Sequence, residues 1–235
     1  MRVRRHLTAL VAFVLVLAVG AVALAAQSQD RAVLYRAASG GLFTSVRPTG
    51  VGLPQIGQSG TVGAGEIGPA LRQYHDSGAY DRDLVTVAHA AKSYLDVRLA
   101  NAARACRRLP VRCRPNRKRK FAIVLDIDET SLSNYQGLVA SNFSAAGIVG
   151  PAVSGTGTAI QPTLQLYRAA RSRSVAVYFK PSGTGTEAFK SSTRAGIQRQ
   201  GYDVVVNLGD QESDLDGGHA DRAVKLPNPF YFISD

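Results

Sequence analysis

Apolar positions change their period several times along the chain, and each change predicts an element. Residues 7–24 form an almost unbroken apolar run behind a short basic start, Met-Arg-Val-Arg-Arg-His. Helical spacing sets in later: Leu84, Val87, Ala88, Ala91 and Leu95 recur at three- and four-residue steps, with Asp81 and Asp83 as N-cap candidates. Phe121 to Leu125 (FAIVL) is short, continuous and rich in β-formers, which predicts a strand buried on both faces. Pro162 opens a second helical pattern through Leu164, Leu166, Tyr167, Ala169 and Ala170, followed by a strand at Val175–Phe179. A third helix covers roughly Glu187 to Gln200, Gly201 stops it, and Asp203–Asn207 is the next strand. The last strand-like run is Tyr231–Ile233.

Strands that alternate with helices predict βαβ units with right-handed crossovers, hence an α/β fold with an open, mostly parallel sheet in three layers. Ligands of such sheets bind outside the carboxyl ends of the strands. Two acidic groups stand at just those ends: Asp126 and Asp128 after the first strand, and Asp210 and Asp214 after the strand at 203–207. Between Ser39 and Pro69 glycine is frequent, proline recurs and helical periodicity is absent, which reads as a tether. The expected division is therefore 1–25 as a targeting segment, 26–66 as a Gly/Pro-rich tether and 67–235 as one folded domain.

The N-terminal run has the basic start, apolar centre and small-residue exit (Ala23-Leu24-Ala25) of an export signal, with a retained single-span anchor as the alternative. Its removal takes away three arginines and no acid, lowering the formal charge from +11 to +8. Much of the remaining charge lies between Arg104 and Lys120, around Cys106 and Cys113. That stretch is a solvated connector, or else it adheres to an anionic surface or steers phosphate esters. Nucleic-acid binding is not expected of an exported chain. Two cysteines with six residues between them in such a chain predict either a local disulfide or two free thiols; zinc lacks further ligands nearby.

Carboxylates as close as Asp126 and Asp128 repel one another unless a cation or proton intervenes. Few, hard oxygen ligands suit Mg²⁺, which keeps waters and takes an oxygen from a phosphate. Phosphoryl transfer needs an in-line nucleophile, cationic compensation and an acid for the leaving alkoxide. Asp126 suits the first role and Asp128 the third. Lys190 is the favoured lysine to neutralise phosphoryl charge.

The segments YHDSGAYDRDLVTVAHAAKSY, LDIDETSLSNY, FKSSTR and NLGDQESDLDGGHADRAVKLPNPFYFI resemble the class B/IIIB acid phosphatases of the haloacid-dehalogenase superfamily, the group that includes plant vegetative storage proteins. The resemblance runs from about Ile67 to Ile233. It implies a haloacid-dehalogenase fold with a small helical cap at about 132–161, and Asp126 as the nucleophile that is phosphorylated. It further implies Asp128 as acid then base, with its carbonyl on Mg²⁺; Asp210 as a Mg²⁺ ligand; Asp214 as a ligand or an orienting group; and Lys190 as the phosphate-holding lysine. One departure stands out: Phe179 runs straight into Lys180-Pro181, without the hydroxyl-bearing motif and following βα unit of roughly thirty residues. Ser182, Thr184 and Thr186, in a Gly-rich turn, are the candidate substitutes, and a plain turn is the alternative.

Three functions therefore remain open. One is a secreted or surface-anchored phosphomonoesterase. The second is a catalytically impaired storage or phosphate-binding relative, and the third an adhesion module that acts through the basic stretch with the phosphatase fold as its scaffold.

Overall fold

The computed structural model of the chain describes residues 33–36, 42–46, 64–109, 120–144, 146–147, 150, 154–180 and 187–231. The apolar run at 7–24, Cys113, Ser182, Thr184 and Thr186 lie outside these residues. Among the described residues no helix is long and apolar enough to cross a membrane.

Strands β1 (Val33–Arg36) and β2 (Leu42–Val46) form an antiparallel pair within the stretch 26–66. Helix α1 (Ala64–Asp76) begins near the expected domain start and leads through Gly78 into α2 (Ala79–Arg108). The long helix starts two residues ahead of Asp81, because Gly78 takes a left-handed backbone (φ 73°) that turns the chain into it without a side-chain cap. Leu84, Val87, Ala88, Ala91 and Leu95 are all buried, as their spacing predicts.

Strand β3 (Lys120–Leu125) follows. A two-residue strand β4 (Leu132–Ser133), helix α3 (Tyr135–Ala140) and strand β5 (Thr158–Ala159) make a small subdomain in which β4 and β5 pair antiparallel. Helix α4 (Gln161–Arg171) carries Pro162 in its first turn, where a missing N–H costs nothing. Then come β6 (Ala176–Phe179), α5 (Glu187–Arg199), β7 (Tyr202–Gly209) and β8 (Arg222–Lys225).

The main sheet has the order β6-β3-β7-β8, and each neighbouring pair is parallel. Alternation along β3 sorts its side chains: Ile123 and Leu125 join a cluster with Leu84, Leu95 and Leu166 from α2 and α4, while Ala122 and Val124 meet Ile197 of α5 on the other face. The result is three layers, a parallel sheet between helices, as the sequence predicts. Each fully buried Leu or Val in these layers contributes roughly 1.5–3 kcal/mol over exposure. A register shift between β3 and β7 after Ala122 lets consecutive Val205 and Val206 both enter the larger cluster.

Among the described residues the last strand is Arg222–Lys225, whose charged ends and length of four residues hid it in the sequence; of the run expected as a strand at Tyr231–Ile233 only Tyr231 is described. Tyr231 is instead irregular and buried, and its ring serves the polar interior described below.

Candidate active site

Parallel strands with matched ends bring their following residues together. Leu125 pairs with Phe179 on one side and Leu208 on the other, so Asp126, Lys180 and Gly209–Asp210 emerge side by side. The backbone locks this edge: the Asp126 N–H donates to the Leu208 carbonyl at 3.0 Å and the Lys180 N–H to the Leu125 carbonyl at 2.9 Å.

Past β7 the chain makes one 3₁₀ turn, Glu212–Asp214, which folds Asp214 back over the strand end. The Asp214 Oδ2 accepts the Gln211 N–H at 3.0 Å. Gly209 permits the close approach, since a Cβ there would lie 2.3 Å from the Cβ of Asp214. Arg194 of α5, fully buried, holds the same loop by donating to the carbonyls of Asp214, Asp216 and Gly218. Asn207 adds a 2.8 Å bond from its Nδ2 to the Asp214 carbonyl.

These elements gather Asp126, Asp210 and Asp214, all buried, with carboxylate oxygens within 4.8 Å of one another. Two lysines answer them. Lys190 Nζ lies 2.8 Å from Asp214 Oδ1 and donates to Ser213 Oγ at 3.1 Å. Lys180 Nζ donates to the Asp214 carbonyl at 2.9 Å and lies 3.5 Å from Oδ1. Asp210 is held from three sides: Thr130 Oγ1 donates to Oδ1 at 3.1 Å, and Gln211 Nε2 and Asn228 Nδ2 each donate to Oδ2 at 2.7 Å.

The electrostatics divide the acids. Burial, then the charges of Asp214 and Asp210, hold the Asp126 carboxyl well above its ordinary range, and the lysines do not cancel this. Burial and Asp214 push Asp210 up to about 6. Burial would raise Asp214 as well, but Lys180 and Lys190 overcome it and keep that carboxyl below its ordinary value. Asp214 is thus the lysine-bound anion, whereas Asp126 and Asp210 are two crowded carboxylates without comparable compensation. A divalent cation between them would relieve the crowding, and Asp210 Oδ1, with one donor at present, retains a lone pair for it. The donor set therefore fits a hard cation.

Of the residues predicted from sequence, Asp126, Asp210, Asp214 and Lys190 come together. Asp128 is half-buried two residues beyond Asp126, and its carboxylate accepts the Asn134 Nδ2 at 2.9 Å. Lys180, Arg194, Asn207 and Asn228 were not predicted. The signal for Lys180 was available in one step, because it directly follows a strand paired with the one that ends before Asp126. An asparagine closing the apolar run Val204–Val206 was a similar hint.

Behind the site lies a second polar group. Glu129, fully buried and with a left-handed backbone (φ 45°), accepts the Asn134 N–H at 2.7 Å and the Tyr231 hydroxyl at 2.5 Å. Burial first, then Asp210, pushes its carboxyl up to about 8. Between about pH 4.5 and 8 the folded chain then holds a proton that the unfolded chain has lost, so stability falls as pH rises through that window. Asp210 adds to the slope in the same direction below about 6, and Asp126, held well above its ordinary range, adds to it as well. In protein stripped of divalent cations, Glu129→Gln should make the decline of melting temperature with pH shallower; an unchanged slope would exclude Glu129 as one of its sources.

Comparison with known proteins places a likeness in the C-terminal part of the site, which carries Lys180, Lys190, Asp210 and Asp214; Asp126 and Asp128 precede the matched stretch. Residues 180–234 match the family model described as HAD superfamily, subfamily IIIB (acid phosphatase). The stem 28 kDa glycoprotein of Glycine max is 47% identical over 55 residues, covering 23% of this chain and 22% of that protein. Vegetative storage protein 2 of Arabidopsis thaliana is 39% identical over 56 residues, 23% of this chain and 21% of its own length. A stem 31 kDa glycoprotein of Glycine max is 50% identical over 48 residues, 20% and 19% of the two chains. The chain thus spans about a fifth of the length of the curated relatives it matches.

Proposed function

We propose that this chain, whose residues 180–234 match the model of the HAD superfamily, subfamily IIIB, is an exported, Mg²⁺-dependent phosphomonoesterase that works through a phosphoaspartate. The observation that carries this reading is the convergence of Asp126, Asp210 and Asp214 with two lysines at the carboxyl end of a parallel sheet.

Asp126, Asp210 and the main chain of Asp128 would hold Mg²⁺, which when bound would offset charge on the carboxylates and on the substrate's phosphoryl oxygens. Lys190, fixed by Asp214 and Ser213, holds a phosphoryl oxygen. A carboxylate oxygen of Asp126 then attacks phosphorus, a bond forms between that oxygen and phosphorus, and the bond to the ester oxygen breaks. Asp128, held by Asn134, gives its proton to the departing alkoxide. In the second half Asp128 takes a proton from water, whose oxygen attacks phosphorus; orthophosphate leaves and the Asp126 carboxylate is restored.

The substrate class is small phosphate esters. Choice among them falls to the subdomain of β4, α3 and β5, where Tyr135 stacks on His75 and also meets the ring of Phe230. The basic start and apolar run at 1–25 support export, and the basic stretch at 104–120 supports attachment to an anionic surface. Phosphate release from p-nitrophenyl phosphate by the purified protein should require added Mg²⁺ and fall to background with excess EDTA. Metal-independent release would contradict this reading. The name of the Arabidopsis relative, a vegetative storage protein, favours a second one, in which Mg²⁺ and phosphate bind without turnover; binding in the absence of release would select it.

A further inference from the structure

We propose that Lys180 is a second phosphoryl-binding residue, which with Lys190 forms a two-lysine cradle opposite Asp126; this rests on the phosphatase reading above. Three observations converge on it. The register Leu125↔Phe179 sets Lys180 next to Asp126 across the parallel pair, at the strand end where ligands of such sheets bind. The side chain is 2% exposed, and burying a lysine ammonium costs heavily unless its charge is used. Its ammonium reaches Asp214 Oδ1 at 3.5 Å, and a carboxylate oxygen of Asp214 lies within 4.8 Å of one of Asp126, the carboxylate assigned as nucleophile.

The donor count agrees. An ammonium has three protons. Asp214 takes two from Lys180, through its carbonyl and Oδ1, while Asp214 and Ser213 take two from Lys190. Each lysine keeps one donor for a phosphoryl oxygen, one from the end of β6 and one from the first turn of α5. A structural role alone, as a clamp on the Asp214 loop, needs only the two donors already used.

The test reads orthophosphate binding by calorimetry in the presence of Mg²⁺, in wild type, Lys180→Met and Lys180→Arg. Loss of one charge-assisted bond should weaken orthophosphate about ten- to hundredfold in Lys180→Met, with most of the affinity returned by Lys180→Arg. Equal affinity in folded Lys180→Met and wild type would overturn the proposal while leaving the phosphatase reading intact. A wild type that neither binds nor releases phosphate would overturn that reading instead. If Lys180→Met fails to fold, the ¹⁵Nζ resonance of Lys180 in wild type decides: it should move on addition of orthophosphate, and a resonance that stays in place while the others in the site move would refute the cradle.

Discussion

Asp126→Asn should lower kcat/KM for p-nitrophenyl phosphate by at least about a thousandfold while leaving the fold intact. The substitution keeps shape and volume, so the contacts of the strand end survive: the Leu208 carbonyl still receives the residue's N–H, and the Ser131 hydroxyl still donates to its carbonyl. What disappears is an anionic oxygen that can bond to phosphorus, and removal of a covalent nucleophile typically costs many orders of magnitude. The change also removes a buried charge that Asp214 and Asp210 oppose. Metal-free Asp126→Asn protein should therefore unfold at the same or higher urea concentration than wild type, the opposite of the activity trend. A variant with more than about a tenth of wild-type activity would place the nucleophile elsewhere.

Asp214→Ala should cost about 3–5 kcal/mol of folding free energy, read as a lower urea midpoint at unchanged slope. The reason is what it leaves behind: Lys180 and Lys190 both lean on Asp214 Oδ1, and without it two buried ammonium groups lose the carboxylate that both contact. Gln211 loses the acceptor for its N–H in the same step. Replacing all three residues together, as Lys180→Met, Lys190→Met and Asp214→Leu, should recover most of the stability and none of the activity, since apolar groups of similar volume carry no desolvation penalty. If Asp214→Ala alone were neutral, the lysines would not depend on Asp214 and its role as their anchor would fall.

Much of the fold was legible because its signals are local. The helical spacing from Leu84 to Leu95, the apolar run before Asp126 and the stop at Gly201 each depend on a few neighbouring residues, and all three proved to mark elements of the α/β sandwich. The gathering of Asp126 with Asp210 and Asp214 was legible for a different reason, since acidic residues at the ends of parallel strands must meet if the strands do. Strand β8 was missed because four residues with charged ends carry no period of their own; only pairing with β7 makes them a strand. The buried cations were missed on similar grounds. Lys180 and Arg194 look like surface residues in sequence, and only the folding back of the 211–218 loop encloses them. Glu129 likewise reads as part of an acidic motif, and its partner Tyr231 lies 102 residues away in sequence.

The central claim is covalent: the phosphoryl group passes through Asp126. Acid quenching of the protein a few milliseconds after mixing with a ³²P-labelled phosphomonoester and Mg²⁺ tests it most directly. Protein-bound label that survives acid, is released by hydroxylamine, maps to the peptide carrying Asp126 and is absent from Asp126→Asn is the predicted result. Rapid phosphate release with no label on the protein, or label on a peptide without Asp126, would contradict it.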